Sequence, residues 1–441
     1  TFTIPTTNRL GAVPMNSRRN FIKKAVCFTG AIPFLHITNP TMANEFLKRS
    51  EKNLSLAPEA GISDEDFWGW IKEQYTVSAN IINLNNGGVS PQPKVVQDAH
   101  IKYYQLCNEG PSYYMWRILD QGRESLRMKL ADLAGCSPEE IAINRNSTEA
   151  LNTVIFGLNL KAGDEVILNK LDYPSMLNAW KQREKREGIK IVWINLELPS
   201  EDSAKMVKQY TDAFTAQTKV VHITHMINLN GQVLPVKEIT AEAHKRGLHV
   251  IVDTAHTFAH LDFTLPDTGC DYSGMSLHKW LCAPFGSGML YIKKEKIKDI
   301  WPLLSSSVAD DDIRKFESLG TRSFPSEMAI GTAVDFHNII GSKRKEDRLR
   351  FLRNYWVEKV VQNPKVKIHT PLNPKYSCAL CLFSIDGWKP EEIEAKLFDK
   401  YKIHTVPINL EYLHGIRVTP HVYTSTKDLD RLVKAIEEMC K

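Results

Sequence analysis

From Glu165 to Val252 the chain repeats one unit: a short apolar run rich in β-branched residues, then a helical pattern. The runs are Glu165–Leu168, Ile189–Ile194, Val220–Ile223 and Val250–Val252, separated by amphipathic stretches such as Asp202–Thr215 and Glu238–Arg246. Runs this continuous belong to strands covered on both faces. Their alternation with helices builds a mostly parallel α/β sheet with helices packed over it. The rhythm breaks around Asp311–Ile340. A long basic helix follows (about Ser342–Gln362), then strand-like Val366–Ile368 and Cys378–Ile385, a helix at Pro390–Tyr401, strands at Ile403–Val406 and Ile416–Thr419, and a last helix at Thr426–Cys440. Upstream, Glu45 to about Val77 reads as helix, with Phe67, Trp70 and Ile71 on one side. At 441 residues the chain has room for two or three domains. We expect a large α/β domain over 78–325 and a smaller α+β domain over 326–441, which the N-terminal helical segment 44–77 joins.

The net charge of +5 is confined to one end. Arg9, Arg18, Arg19, Lys23 and Lys24 stand before Glu45 with no acid among them, and beyond that point bases and acids balance at 51 each. A neutral body gives no reason to expect a nucleic-acid partner. The basic end has the layout of a targeting segment. Ser17-Arg18-Arg19-Asn20-Phe21-Ile22-Lys23 resembles the twin-arginine export motif. An apolar run from Ala25 to Leu35 follows, too short for a membrane anchor, and Thr41-Met42-Ala43 offers small residues for a signal peptidase. We expect residues 1–43 to be a signal region cleaved after Ala43, with Met15 the start, and the mature protein to be periplasmic with no stable membrane anchor.

Eight scattered cysteines do not make a disulfide framework in a chain of this length. Cys378 and Cys381 have the spacing of a redox or metal pair. Placed on one strand, residues three apart face opposite sides, so both are expected to be buried structural thiols, and no metal site is expected.

The chemistry concentrates around Ser276-Leu277-His278-Lys279-Trp280. A lysine after Ser-x-His suits Schiff-base formation, although most lysines are solvated surface charges. Twenty-six residues upstream, Val250-Ile251-Val252 ends in Asp253, with His256 close behind. Ligands of open α/β sheets bind beyond the carboxyl ends of the strands. An acid there can keep a pyridine nitrogen protonated, and a protonated pyridine is the electron sink of pyridoxal phosphate. Asn146-Ser147-Thr148-Glu149 opens a helix with apolar residues at Leu151, Val154, Ile155 and Leu158. Its free N–H groups suit an anion such as a phosphate, as those of many ordinary helix starts do.

Taken in order, from Leu84-Asn85-Asn86-Gly87-Gly88 to Gly415-Ile416-Arg417-Val418-Thr419-Pro420-His421, these motifs resemble the class V aminotransferase group of pyridoxal-phosphate enzymes of fold type I, and within it the isopenicillin N epimerase-like branch. The resemblance implies that Lys279 forms the Schiff base and Asp253 pairs with the pyridinium. It places His256 near the phenolic oxygen and Tyr173 on the cofactor ring, where relatives often have His. Ser147, Thr148, Ser276 and His278 would hold the phosphate. Asn228 would contact the ring oxygen or the substrate carboxylate, and Arg417 would take the α-carboxylate with its bidentate fork. Gly320-Thr321 resembles a segment that reaches a phosphate across a homodimer interface.

Desulfurases of the group carry a nucleophilic cysteine before the carboxylate-binding arginine, and His404–His414 has none. The expected activity is therefore chemistry at the α-carbon of an amino acid or amino-acid moiety: racemisation, transamination, elimination or decarboxylation. A carbon–sulfur lyase and a non-catalytic cofactor- or peptide-binding protein are the alternatives. Together with the signal, the fold resembles that of periplasmic enzymes that tailor a peptide siderophore, which would make a peptide metabolite the substrate. Tyr113, Tyr114, Trp116 and Arg117 form an aromatic-rich segment suited to a substrate or to an interface.

Overall fold

The structure is a computed structural model that describes residues 48–49, 52–53 and 56–441. The signal region expected over 1–43, with its expected cleavage after Ala43, lies outside the described residues. The expected helix from Glu45 to Val77 is interrupted. Its described part runs as Pro58–Ser63 and Glu65–Glu73. Asp64 breaks it by turning its side chain back to accept the Phe67 N–H at 3.2 Å, the N-cap geometry that starts a new helix. The buried stripe is Phe67, Trp68 and Ile71; Trp70, expected on that side, is only half-buried.

Thirteen strands make three sheets among the described residues. They are β1 (Ile82–Asn83), β2 (Ile141–Asn144), β3 (Glu165–Asn169), β4 (Lys190–Ile194), β5 (Thr218–Thr224), β6 (His249–Asp253), β7 (Tyr272–Ser276), β8 (Gly288–Ile292), β9 (Val366–Ile368), β10 (Cys381–Ile385), β11 (Ile403–His404), β12 (Val406–Leu410) and β13 (Leu413–Val418). The seven-stranded sheet has the order β2-β8-β7-β6-β5-β3-β4. Its neighbours are parallel except where β8 runs against β7 and β2. A hydrophobic core built on Val166, Leu168, Val220, Ile251 and Leu290 packs this sheet against the helices Ser147–Gly157 and Pro174–Glu187. The chain is thus α/β with a mostly parallel sheet, the architecture of fold type I. β2, β7 and β8 were not legible as strands: β2 is only four residues long, and Gly274, Ser276 and Gly288 dilute the apolar runs of β7 and β8.

The second sheet, β12-β13-β10-β9, is antiparallel. The helices Ser342–Val360, Pro390–Tyr401 and Thr426–Met439 cover it through Leu352, Trp356, Ile393, Leu397 and Leu432. β1 enters this core as well, pairing in parallel with β11. Residues from the start of the described chain and from its far end therefore share one hydrophobic cluster. The strand expected from Cys378 begins only at Cys381. Both thiols are buried and unbridged, and burial pushes Cys378 up to about 12 and Cys381 to about 11. Among the described residues no group of three His, Cys, Asp or Glu is placed to hold a metal ion, and no helix is long and apolar enough to cross a membrane.

Candidate active site

Lys279 lies just past the carboxyl end of β7, on the turn that leads towards β8, with its side chain buried at 9% exposure. Its Nζ sits 3.1 Å from His256 Nε2 and 5.7 Å from the centre of the Tyr173 ring. Burial brings the amine down to about 8; the Asp253 carboxylate opposes the shift and the Arg417 charge adds to it. A lysine so placed keeps a usable fraction of free amine near neutral pH, which a nucleophile requires.

Asp253 ends β6, the strand beside β7. It is buried, and its Oδ1 accepts the Ala255 N–H at 2.9 Å. Burial raises its carboxyl, against the lowering effects of that amide and of Lys279. His256 is held neutral by burial and by the charges of Lys279 and Arg417. A neutral ring that accepts the lysine proton donor at Nε2 carries its own hydrogen on Nδ1, and that atom is buried without a partner. Asn228 Oδ1 and Arg417 Nε are likewise buried and unpartnered. Unsatisfied polar atoms are rare in native interiors and ask for an explanation. Here three of them belong to residues linked to Lys279, His256 by its contact with the amine, Arg417 by its charge and Asn228 through Arg417.

Arg417, on β13, brings the small sheet to this cluster. It donates from Nη1 to the Asn228 carbonyl and from Nη2 to Asn85 Oδ1, each at 2.9 Å. Asn85 belongs to the loop after β1, and that loop is tied down by the other end of the chain: Asn86 Nδ2 donates to the Thr419 carbonyl at 2.8 Å, and the Gly87 N–H to Thr419 Oγ1 at 3.0 Å. A Cβ on Gly87 would stand 3.1 Å from Thr419 and 3.4 Å from His256. A glycine there lets the loop approach the histidine.

The helix start also takes shape. Asn146 caps Ser147–Gly157 by accepting the Glu149 N–H at 2.9 Å. Ser276 Oγ accepts the Ser147 N–H and meets Ser147 Oγ, both at 3.0 Å. Ser147 and Ser276 thus form one hydroxyl-lined corner at the positive end of a helix, with Thr148 half-buried beside them. His278 turns partly away, donating from Nδ1 to the Ser287 carbonyl at 3.0 Å. Gly320 and Thr321 are exposed on a separate loop, and none of the described polar contacts of the Lys279 cluster reaches them. Tyr113 and Trp116 are exposed in and beside a π-helical turn, Tyr114–Leu119.

The fold therefore gathers Lys279, Asp253, His256, Tyr173, Asn228 and Arg417, with Ser147 and Ser276 as a second corner. Asn85, Gly87 and Thr419 had been read only as the ends of a resemblance. Their pairing spans the chain, and no local pattern announces it. These residues fit pyridoxal phosphate: an amine of lowered pKa, an acid at a strand end, an aromatic face, a helix start, and orphaned donors and an orphaned acceptor among them.

A family model described as "Aminotransferase class-V" matches residues 82–432. The chain is 28% identical to the isopenicillin N epimerase of Amycolatopsis lactamdurans, over 85% of this chain and 99% of the relative. It is equally 28% identical to a probable cysteine desulfurase of Synechocystis sp., over 81% and 90%. Among solved structures, a C-DES mutant with glycine covalently linked to its pyridoxal-phosphate cofactor superposes with a TM-score of 0.76 at 22% identity, covering 83% of this chain and 98% of that one. The cysteine desulfurase of Thermococcus onnurineus superposes with a TM-score of 0.74 at 23% identity, covering 84% and 97%.

Proposed function

We propose, for a chain that belongs to the class-V aminotransferase family and is a pyridoxal-phosphate-dependent enzyme, that its reaction is epimerase- or transaminase-like chemistry at the α-carbon of an amino acid or amino-acid moiety. The observation that carries the proposal is the buried Lys279 amine, 3.1 Å from His256 and within the field of the Arg417 charge.

The bound cofactor supplies an electron sink for a carbanion. The protein's own residues then divide the work. Asp253 would hold the ring nitrogen in its charged form, and the neutral His256 would offer its Nδ1–H to the phenolic oxygen. Tyr173 would supply an aromatic face for the ring. Ser147, Thr148, Ser276 and His278 would hold the phosphate at the helix start. Arg417, already braced by Asn85 and the Asn228 carbonyl, would bind the substrate carboxylate and so orient the α-carbon. Lys279 would carry the cofactor and serve as the base that moves a proton at the α-carbon; a pKa brought to about 8 suits a base working near neutrality.

The absence of a cysteine between His404 and His414 separates this site from the persulfide route of a desulfurase. A carbon–sulfur lyase that eliminates without such a thiol is the second reading. The similarity to the cysteine desulfurases favours it. The reading also includes a homodimer in which Gly320 and Thr321 serve the partner's phosphate, export by the twin-arginine translocase to the periplasm, and tailoring of a peptide metabolite.

Purified chain starting at Asn44 tests the reading. Its visible absorbance is recorded before and after borohydride, and the reduced protein is mapped by mass spectrometry. A yellow band lost on reduction, with the label on the Lys279 peptide, is expected. A colourless protein after added pyridoxal phosphate, with Lys279 unlabelled, overturns it. An amino-acid and peptide panel then separates the chemistries: α-proton exchange for the first reading, sulfide or thiol release for the second.

A further inference from the structure

Asp172 is almost wholly buried at 1% exposure, and among the described residues no cation is found acting on its carboxyl. Burying a carboxylate without a cation is costly unless its oxygens are otherwise held. Both are held here. Oδ1 accepts the Thr224 hydroxyl at 2.7 Å, and Oδ2 accepts the Asn169 N–H at 2.8 Å. Asn169 completes a tight turn by accepting the Asp172 N–H at 3.0 Å and, through Oδ1, the Leu171 N–H at 3.3 Å. Thr224 stands opposite Asp253 in the register of β5 and β6. The carboxylate thus ties the end of β3 to the strand that flanks Asp253.

The next residue is Tyr173. Its ring is 38% exposed, so core packing does not fix it. It precedes Pro174 at the helix start and has no side-chain cap bond. The backbone turn is what sets the height of the ring over Lys279. Burial pushes the Asp172 carboxyl up to about 7, against both hydrogen bonds.

We propose that Asp172 is a positioning residue for the cofactor: its two hydrogen bonds clamp the turn Asn169–Tyr173 to β5, which holds the Tyr173 ring in register with Lys279 and Asp253. The inference rests on the reading of the site as a pyridoxal-phosphate site. Asn at this position keeps an acceptor for Thr224 but cannot accept two N–H or O–H donors on separate oxygens. Ala loses both bonds, and Thr224→Val loses one with little change of shape.

The test titrates the chain from Asn44 with pyridoxal phosphate. It reads the dissociation constant and the induced visible circular dichroism per bound cofactor, which reports how rigidly the ring sits in a chiral site. Asp172→Ala is expected to weaken binding about tenfold or more and to reduce the induced signal. Asp172→Asn and Thr224→Val are expected to fall between it and wild type, each having lost one hydrogen bond. If Asp172→Ala does not fold, Thr224→Val decides. Affinity and induced signal equal to wild type in the folded variants overturn the inference, even if their melting temperature has dropped. A wild-type protein that binds no pyridoxal phosphate overturns the reading of the site together with the inference. A wild type that binds, with unaffected variants, overturns the clamp alone.

Discussion

At the scale of single residues, the chemistry rests on two cations treated in opposite ways. Lys279 is kept near its titration point, and Arg417, though brought to about 10 by burial, stays charged. For Lys279 the folded value lies below the unfolded one. The unfolded chain therefore binds more protons between about pH 8 and pH 10.5, and this residue's cost to stability, fully present below pH 8, fades as pH rises through that window. The same value governs capture of pyridoxal phosphate by the free amine. The second-order rate of capture by apoprotein should rise about tenfold from pH 7 to pH 9 and then level off; stopped-flow absorbance measures it, and a rate still climbing steeply at pH 10 would mean an unshifted lysine. Arg417→Lys keeps the charge but cannot reach Asn85 and Asn228 while presenting a planar fork. We expect KM for an amino-acid substrate to rise roughly 10- to 100-fold with a smaller change in kcat. A reversed split, with kcat carrying the loss, would move Arg417 from binding to the chemical step.

At the scale of elements, the site depends on how closely β8 approaches the helix that holds the phosphate corner. Gly288 pairs with Asn144 on β2, and a Cβ there would lie 2.4 Å from the Asn146 Cα and N. Those are backbone atoms and cannot swing aside. Gly288→Ala should cost about 1–3 kcal/mol by overpacking and loosen pyridoxal-phosphate binding with it, since the shifted element is the cap of the helix Ser147–Gly157. Urea unfolding and cofactor titration on the same preparation check both effects. An alanine variant with unchanged midpoint and affinity would show that the strand and helix can separate freely. This level also shows what the sequence discloses. The parallel strands β3 to β6 were legible because each is a continuous apolar run, and the placement of Lys279 and Asp253 near strand ends was legible because strand-end chemistry has a local signature. β7 and β8 were not, since glycine and serine at close contacts erase the pattern that strands otherwise carry. The helix break at Asp64 was missed for a related reason: one capping residue outweighs a helical periodicity that runs through it. Asn85, Thr419 and the Asp172 clamp are tertiary pairings, which no window of sequence contains.

At the scale of the whole molecule, the named site residues outside the Gly320–Thr321 loop run from Asn85 to Arg417 with Thr419 behind them. The seven-stranded sheet supplies the lysine and the acid, and the small sheet supplies the arginine. A chain beginning at Asn44 should therefore bind pyridoxal phosphate with the affinity of the full chain, as fluorescence titration can show. A chain ending before Leu413 should bind it weakly if at all, because β13 is an inner strand of the small sheet and carries Arg417. Equal binding by the shortened chain would confine the site to the large sheet.

The tie between Asn86 and Thr419, 333 residues apart, also sets a timetable. When the ribosome has released the loop after β1, its partner has not yet been translated. That loop stays open until Thr419 has emerged as well. Cofactor loading then waits for the strand that carries Arg417 and for Thr419 just beyond it.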